Sequence, residues 1–219
     1  GTGYVLTLRL VTADSGAELA SYHETAEGPK DLLPTLDKLA RRLRGRMGES
    51  LRSVQGGPPL EQVTTSSLEA LKKYAEGVRI NDVEGDFAGA IPPLEEAVRI
   101  DTAFAAAWRK LGIVYFNSFM PRDRQDSAFA RAYRFRDRLT DVDRLRAIAD
   151  FASGPGRDRA RTISAEEEVI RRFPDAAGAY NNLALDLLSR RELARAESLF
   201  RRDIALDSSS TLAPMNLIR

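Results

Sequence analysis

Large apolar positions recur in this chain at a spacing of 34 residues, and that period constrains the fold more than any single residue does. Tyr74 and Trp108 are 34 positions apart, as are Tyr180 and Pro214, whereas Trp108 and Tyr180 are 72 apart, two periods plus four. Trp108, Leu111, Gly112 and Tyr115 form one W-x-x-L-G-x-x-Y run, and Tyr180, Leu183, Ala184 and Leu187 form a degenerate copy of it. A fixed period of this length signals stacked helix pairs, because one pair cannot bury its apolar face alone. Such stacks present extended surfaces to partners, so interaction is expected in preference to catalysis.

Each unit also has a local reading. Gly85-Asp86-Phe87 followed by Ala90 and Leu94 predicts a turn and a helix start, with Asp86 as N-cap. Trp108, Leu111 and Tyr115 fall at i, i+3 and i+7, one stripe of the next helix, while Gly112 beside them admits a neighbouring helix. The later copy places Tyr180, Leu183 and Leu187 on a first helix, a turn at Arg190-Arg191-Glu192, and Ala196, Leu199, Phe200 and Ile204 on a second. Between them, helices are expected near 142–152 and 160–172, parted by Gly154-Pro155-Gly156, and over Ser127–Leu139 after a Met120-Pro121 turn. Pro92 and Pro93 predict a late or kinked helix start.

These runs resemble the tetratricopeptide repeat, whose pattern is large, Leu, small, Tyr on helix A, then Ala, aromatic and Ala on helix B. The resemblance covers about 65–219 and implies a mainly α fold, an α-solenoid of about four helix pairs. Residues 1–55 read differently. Tyr4–Val11 and Leu19–Thr25 flank an Asp14-Ser15-Gly16 turn and predict a β-hairpin. Leu32, Leu36, Leu39, Leu43, Met47, Leu51 and Val54 then predict one long helix, with Asp31 as N-cap, Pro34 in the first turn and arginines on the other face. Gln55-Gly56-Gly57-Pro58-Pro59 breaks it, so 56–64 is expected to be a linker.

A hairpin and one helix make a weak independent unit. The chain opens inside a strand-like run without an initiator Met and closes on Leu212–Arg219, which reads as a capping helix, so a piece of a larger protein is expected. The Asp14-Ser15-Gly16 turn, the His23-Glu24-Thr25 run and the Ser67–Tyr74 stretch S-L-E-A-L-K-K-Y resemble a family of bacterial serine/threonine protein kinases. In that family a kinase domain and a membrane helix precede a TolB-amino-terminal-like α/β module, and tetratricopeptide repeats follow. No kinase signature lies in this stretch, neither a Gly-rich loop, H-R-D nor D-F-G.

Hydrophobic content of 43% and charged content of 30% are ordinary for a globular chain. No apolar run reaches the roughly 18 residues of a membrane span, and the lack of Cys excludes disulfides and thiolate metal sites while leaving the compartment open. The net charge of +1 is unevenly spread: residues 121–161 hold 11 Arg against 7 acids. That stretch suits an acidic partner or phosphate, although the simpler reading is a solvated helix face. Alternation of Arg136, Arg138, Arg144 and Arg146 with Asp137, Asp141 and Asp143 argues against nucleic acid.

Residues with chemical potential are few. His23 is the only histidine, so no His-based metal site is expected. Asp82, Glu84 and Asp86 lack the spacing of a calcium loop, and Glu166-Glu167-Glu168 opens or continues a helix and suits the positive end of its dipole. No catalytic residue, metal or cofactor is expected. Trp108, Tyr115, Phe129, Tyr133 and Phe135 are read as inter-helix core, and Phe116 is set apart.

The tetratricopeptide resemblance implies a concave groove lined by the inner helices. Its positions here are Ala106, Arg109, Ile113 and Phe116, with Lys110 and Asn117 beside them, and Gly178, Asn181, Leu185 and Leu188, with Asn182 beside them. The predicted site is therefore Arg109, Lys110, Ile113, Phe116, Asn117, Asn181, Asn182 and Leu185. Ile113 stands where the family's carboxylate clamp carries Asn, so a mixed polar and apolar groove for an extended or helical segment is expected. The reading is a protein- or peptide-binding scaffold, with self-association of a larger protein as the alternative. The compartment is outside the cytoplasm if a kinase domain and membrane span lie upstream, and inside it otherwise.

Overall fold

The computed structural model describes residues 3–12, 14–48, 59–207, 214 and 216. The hairpin forms as expected: β1 (Tyr4–Val11) pairs antiparallel with β2 (Glu18–Ala26), with a bulge at Leu10/Val11. At its tip the Asp14 carboxylate accepts from the Ser15 amide at 2.7 Å, and Gly16 takes φ 68°. Helix α1 (Leu32–Arg46) packs on this hairpin and buries Leu33 and Leu39. Asp31 occupies its N-cap position, yet the carboxylate turns back to accept from the Gly28 amide at 3.1 Å, because residues 29–31 already form a 3-10 turn.

The long helix expected from the apolar spacing is shorter in the structure. α1 stops at Arg46, Met47 is exposed and Gly48 takes φ 91°, a left-handed conformation that ends a helix without strain. Leu51 and Val54 lie outside the described residues. Within the stretch expected as a linker, α2 (Leu60–Val63) forms one turn against α1, its Leu60 amide donating to Asp37 at 3.3 Å. The buried Thr65 hydroxyl then donates to Asp101 at 2.7 Å, tying this segment to the helices that follow.

Those helices form four antiparallel pairs: α3 (Leu68–Asp82) with α4 (Ile91–Ile100), α5 (Ala105–Asn117) with α6 (Arg122–Arg134), α7 (Asp141–Ser153) with α8 (Arg159–Arg172), and α9 (Ala179–Ser189) with α10 (Leu193–Leu206). Each pair packs on the next, α4 on α5, α6 on α7 and α8 on α9, which makes an α-solenoid of tetratricopeptide type. α4 starts late, at Ile91, with both prolines in its first turn. There their missing amides cost nothing. Asp86 caps the preceding turn, accepting from the Gly89 amide at 2.8 Å. α6 begins at Arg122, five residues before the expected Ser127, because Pro121 supplies an extended residue directly ahead of it.

The core begins in the first two pairs, with Ala70, Leu94, Phe104, Leu111 and Val114 buried together. Gly112 has the role its position suggested: a Cβ there would stand 2.7 Å from the Phe129 ring of α6. The Tyr115 hydroxyl donates to Glu95 at 2.5 Å, and the Trp108 indole donates to the Thr102 carbonyl at 2.9 Å. Tyr133 stacks on Phe151 with ring centroids 4.3 Å apart, in keeping with the aromatics as inter-helix packing. The connections 135–140 and 173–178 are each longer than the corresponding 101–104. Pro214 and Asn216 are helical. No described helix is long and apolar enough to cross a membrane.

Candidate functional site

The inner helices α5, α7 and α9 bring polar side chains together where the second, third and fourth pairs meet. Arg109 of α5 reaches across to Asp150 of α7, its Nε donating at 2.7 Å, with both side chains largely buried. Burial pushes the Asp150 carboxyl above its usual range, and the guanidinium beside it pulls the other way. Arg146, one turn earlier on α7, donates to the Ala177 carbonyl at 3.1 Å in the connection to α9. These two arginines, with Gly178, Asn181, Asn182, Asp203 and Asp207, line a cavity of about 280 Å³.

Two carboxylates outside the predicted groove set hold this arrangement. Gly178 takes the N-cap position of α9 at φ 83° and has no side chain to cap with. Asp203 of α10 supplies the cap instead, its buried Oδ1 accepting from the Gly178 amide at 2.6 Å and the Asn181 amide at 3.3 Å. The second is Glu166. It lies inside α8, within the helix expected over 160–172, and is 2% exposed. Its Oε1 accepts from Asn182 at 3.4 Å, and its Oε2 is buried with no hydrogen-bond partner. Desolvation, reinforced by the nearby Asp150 charge, raises its carboxyl to about 7. Both acids occur at helical spacing within apolar stripes, Asp203 after Ala196 and Phe200, Glu166 between Ile163 and Val169. A charge on a stripe that should be buried is the signal that was available.

Of the eight predicted groove residues, Arg109, Asn181 and Asn182 line this cavity. Asn181 is 7% exposed, and Asn216 donates to its side-chain oxygen at 3.0 Å, so its amide is engaged within the chain. Lys110 points toward the preceding pair and bonds Asp82 of α3 at 2.5 Å. Ile113 and Asn117 are half-buried along α5. Phe116 is 62% exposed, unlike the core aromatics, and Leu185 is exposed on α9. The geometry therefore offers polar donors and acceptors around a cavity, with exposed apolar side chains on the same inner helices. No group of three or more His, Cys, Asp or Glu side chains that could hold a metal gathers among the described residues.

No family model matches the chain, and no curated protein matches it either. Solved structures do. The APC/C hetero-tetramer Cut9-Hcn1 is similar over 68% of this chain and 29% of that one, at 16% identity and a TM-score of 0.52. PilF of Pseudomonas aeruginosa is similar over 68% of this chain and 66% of its own, at 19% identity and a TM-score of 0.49. MamA is similar over 63% of this chain and 78% of its own, at 19% identity and a TM-score of 0.41. At these identities the likeness concerns the fold, and the match to Cut9-Hcn1 is the one that supports it.

Proposed function

We propose that this chain is a non-catalytic interaction module that holds a peptide segment of a partner protein along its inner helices. The cavity at α5, α7 and α9 carries the reading. It sets Arg146 and the Asn182 amide around one opening beside the Arg109–Asp150 pair, donors and acceptors of the kind an extended backbone requires. Exposed Phe116 and Leu185 add apolar contacts for side chains of the bound segment. Peptides selected from a random display library against the folded chain provide the test. Replacing Arg146 and Asn182 by Ala is expected to weaken the selected peptides by about tenfold or more, as loss of charged and neutral hydrogen bonds does. Unchanged affinity in both variants would place binding elsewhere.

The resemblance of the hairpin, the following helix and Ser67–Tyr74 to a family of bacterial serine/threonine protein kinases supports a finer reading, in which the module follows a kinase domain and a membrane helix and lies outside the cytoplasm. An open reading frame lacking both upstream would remove it. A second reading is self-association. Val5 is 72% exposed and Val11 and Leu19 are exposed with it on a two-stranded sheet. Surface of this kind favours a covering partner. Light scattering that finds monomer from micromolar to millimolar chain would exclude a second copy as that cover.

A further inference from the structure

A second cavity, of about 390 Å³, lies away from the groove cavity and is lined by Arg122, Ser153, Arg157, Arg159, Thr162 and Asp186. It forms where α6 and α8 begin and α7 ends, so two helix N-termini border it. We propose that this cavity is a binding site for a phosphate group.

The first argument comes from the arginine-rich stretch 121–161. Eight of its eleven arginines have a hydrogen bond or an aromatic face: Arg131 covers Trp108, Arg161 donates to the Tyr133 hydroxyl, and Arg138 donates to the Ala103 carbonyl, for example. The remaining three have neither, and these three line the cavity. Arg122 approaches Asp126 only to 3.9 Å and Arg159 approaches Asp186 only to 4.0 Å, beyond hydrogen-bond reach. Arg157 has no ion-pair partner among the described residues.

The second argument is the backbone at Arg157. It takes φ 48°, a conformation that costs a side-chain-bearing residue energy. Two short bonds pin it there, Gly156 N to the Phe151 carbonyl and Asp158 N to the Ala152 carbonyl, each 2.7 Å. The third argument is charge. Three guanidinium groups meet the carboxylate of Asp186 in the lining and that of Asp126, 3.9 Å from Arg122, which leaves an excess of one positive charge for an anion to neutralise. Guanidinium groups match phosphate oxygens with paired N–H donors, and the Ser153 hydroxyl adds another. Asp158 does not compete, since its carboxylate caps α8 by accepting from the Arg161 amide at 3.0 Å.

Titration of the folded chain with inorganic phosphate and, separately, with N-acetyl-phosphoserine amide, followed by calorimetry and phosphorus NMR, tests the site. Saturable binding of either probe is expected, with affinity falling about tenfold or more in Arg157→Ala/Arg159→Ala, and little changed in Arg171→Ala, whose guanidinium is paired with Glu168. Tighter binding of the ester would identify phosphorylated side chains as the source, and equal or tighter binding of the inorganic ion would identify free phosphate. The proposal fails if neither probe saturates, if the double variant binds as the parent does, or if sodium chloride at matched ionic strength produces the same signal. Circular dichroism of the double variant separates loss of the site from loss of fold.

Discussion

Where the first pair meets the second, the buried core is apolar, with the Lys110–Asp82 ion pair and the Tyr115–Glu95 hydrogen bond beside it. Leu94, Phe104, Leu111 and Val114 are fully buried, and within the first pair Gly77 lets Leu94 approach so closely that a Cβ there would stand 2.6 Å from its Cγ. Where the third pair meets its neighbours, the contact is polar: Arg109 against Asp150, Glu166 against Asn182, and Asp203 against the start of α9. Both joints stack the same kind of helix pair. The first joint brings Leu94, Phe104, Leu111 and Val114 into one buried cluster, whereas the polar joint carries the cavity that Arg109 and Arg146 line. Hydrogen-bond geometry sets fixed separations, while aliphatic side chains adapt to close a gap.

Substitutions at the two joints should differ in kind as well as in size. Asp150→Ala leaves the Arg109 charge buried without its partner and is expected to cost about 3–5 kcal/mol, close to the cost of Phe104→Ala in the apolar joint. Urea unfolding of both variants checks this, and a cost below about 1 kcal/mol for Asp150→Ala would show that water already serves the polar joint. Only one of the joints should respond to pH. Glu166 binds a proton more tightly in the folded chain than in the unfolded one, since its carboxyl rises from 4.5 to about 7. Stability is therefore expected to fall as pH rises from about 4.5 to 7 and to level off above that, by up to about 3 kcal/mol. Glu166→Gln should remove this dependence, with a higher urea midpoint than the parent at pH 8 and a similar one at pH 4.

Gly112→Ala presses a methyl group on the Phe129 ring and is expected to lower stability by about 1–3 kcal/mol, read as a fall in melting temperature. Smallest in stability is Phe116→Ala, expected within about 0.5 kcal/mol because the ring is exposed, while the affinity of selected peptides falls. A large loss of stability there would place Phe116 in the packing and remove it from the groove surface.

The repeat architecture was legible because it rests on period. Trp108, Leu111, Gly112 and Tyr115 must face one neighbour, and only a helix brings them to one side. The late start of α4 was legible at Pro92 and Pro93 for a similarly local reason. The length of α1 was not, because the apolar spacing continues past Arg46 while Gly48 turns the chain away at φ 91°. Position on helix A indicated Arg109 in the second repeat and Asn181 and Asn182 in the fourth as groove residues, but it did not show that Asn216 covers Asn181 or that Arg109 pairs with Asp150.

The sequence alone determined the helix pairs, their order and their inward faces, since the spacing of apolar residues along a helix is a one-dimensional property. Tertiary structure alone decided which charges are buried and what they meet. Asp203 caps a helix whose own N-cap residue is Gly178, and Glu166 holds a proton near neutrality because α7 and α9 close over it. Such roles depend on dielectric and on partners distant in the chain, and neither is written in the local order of residues.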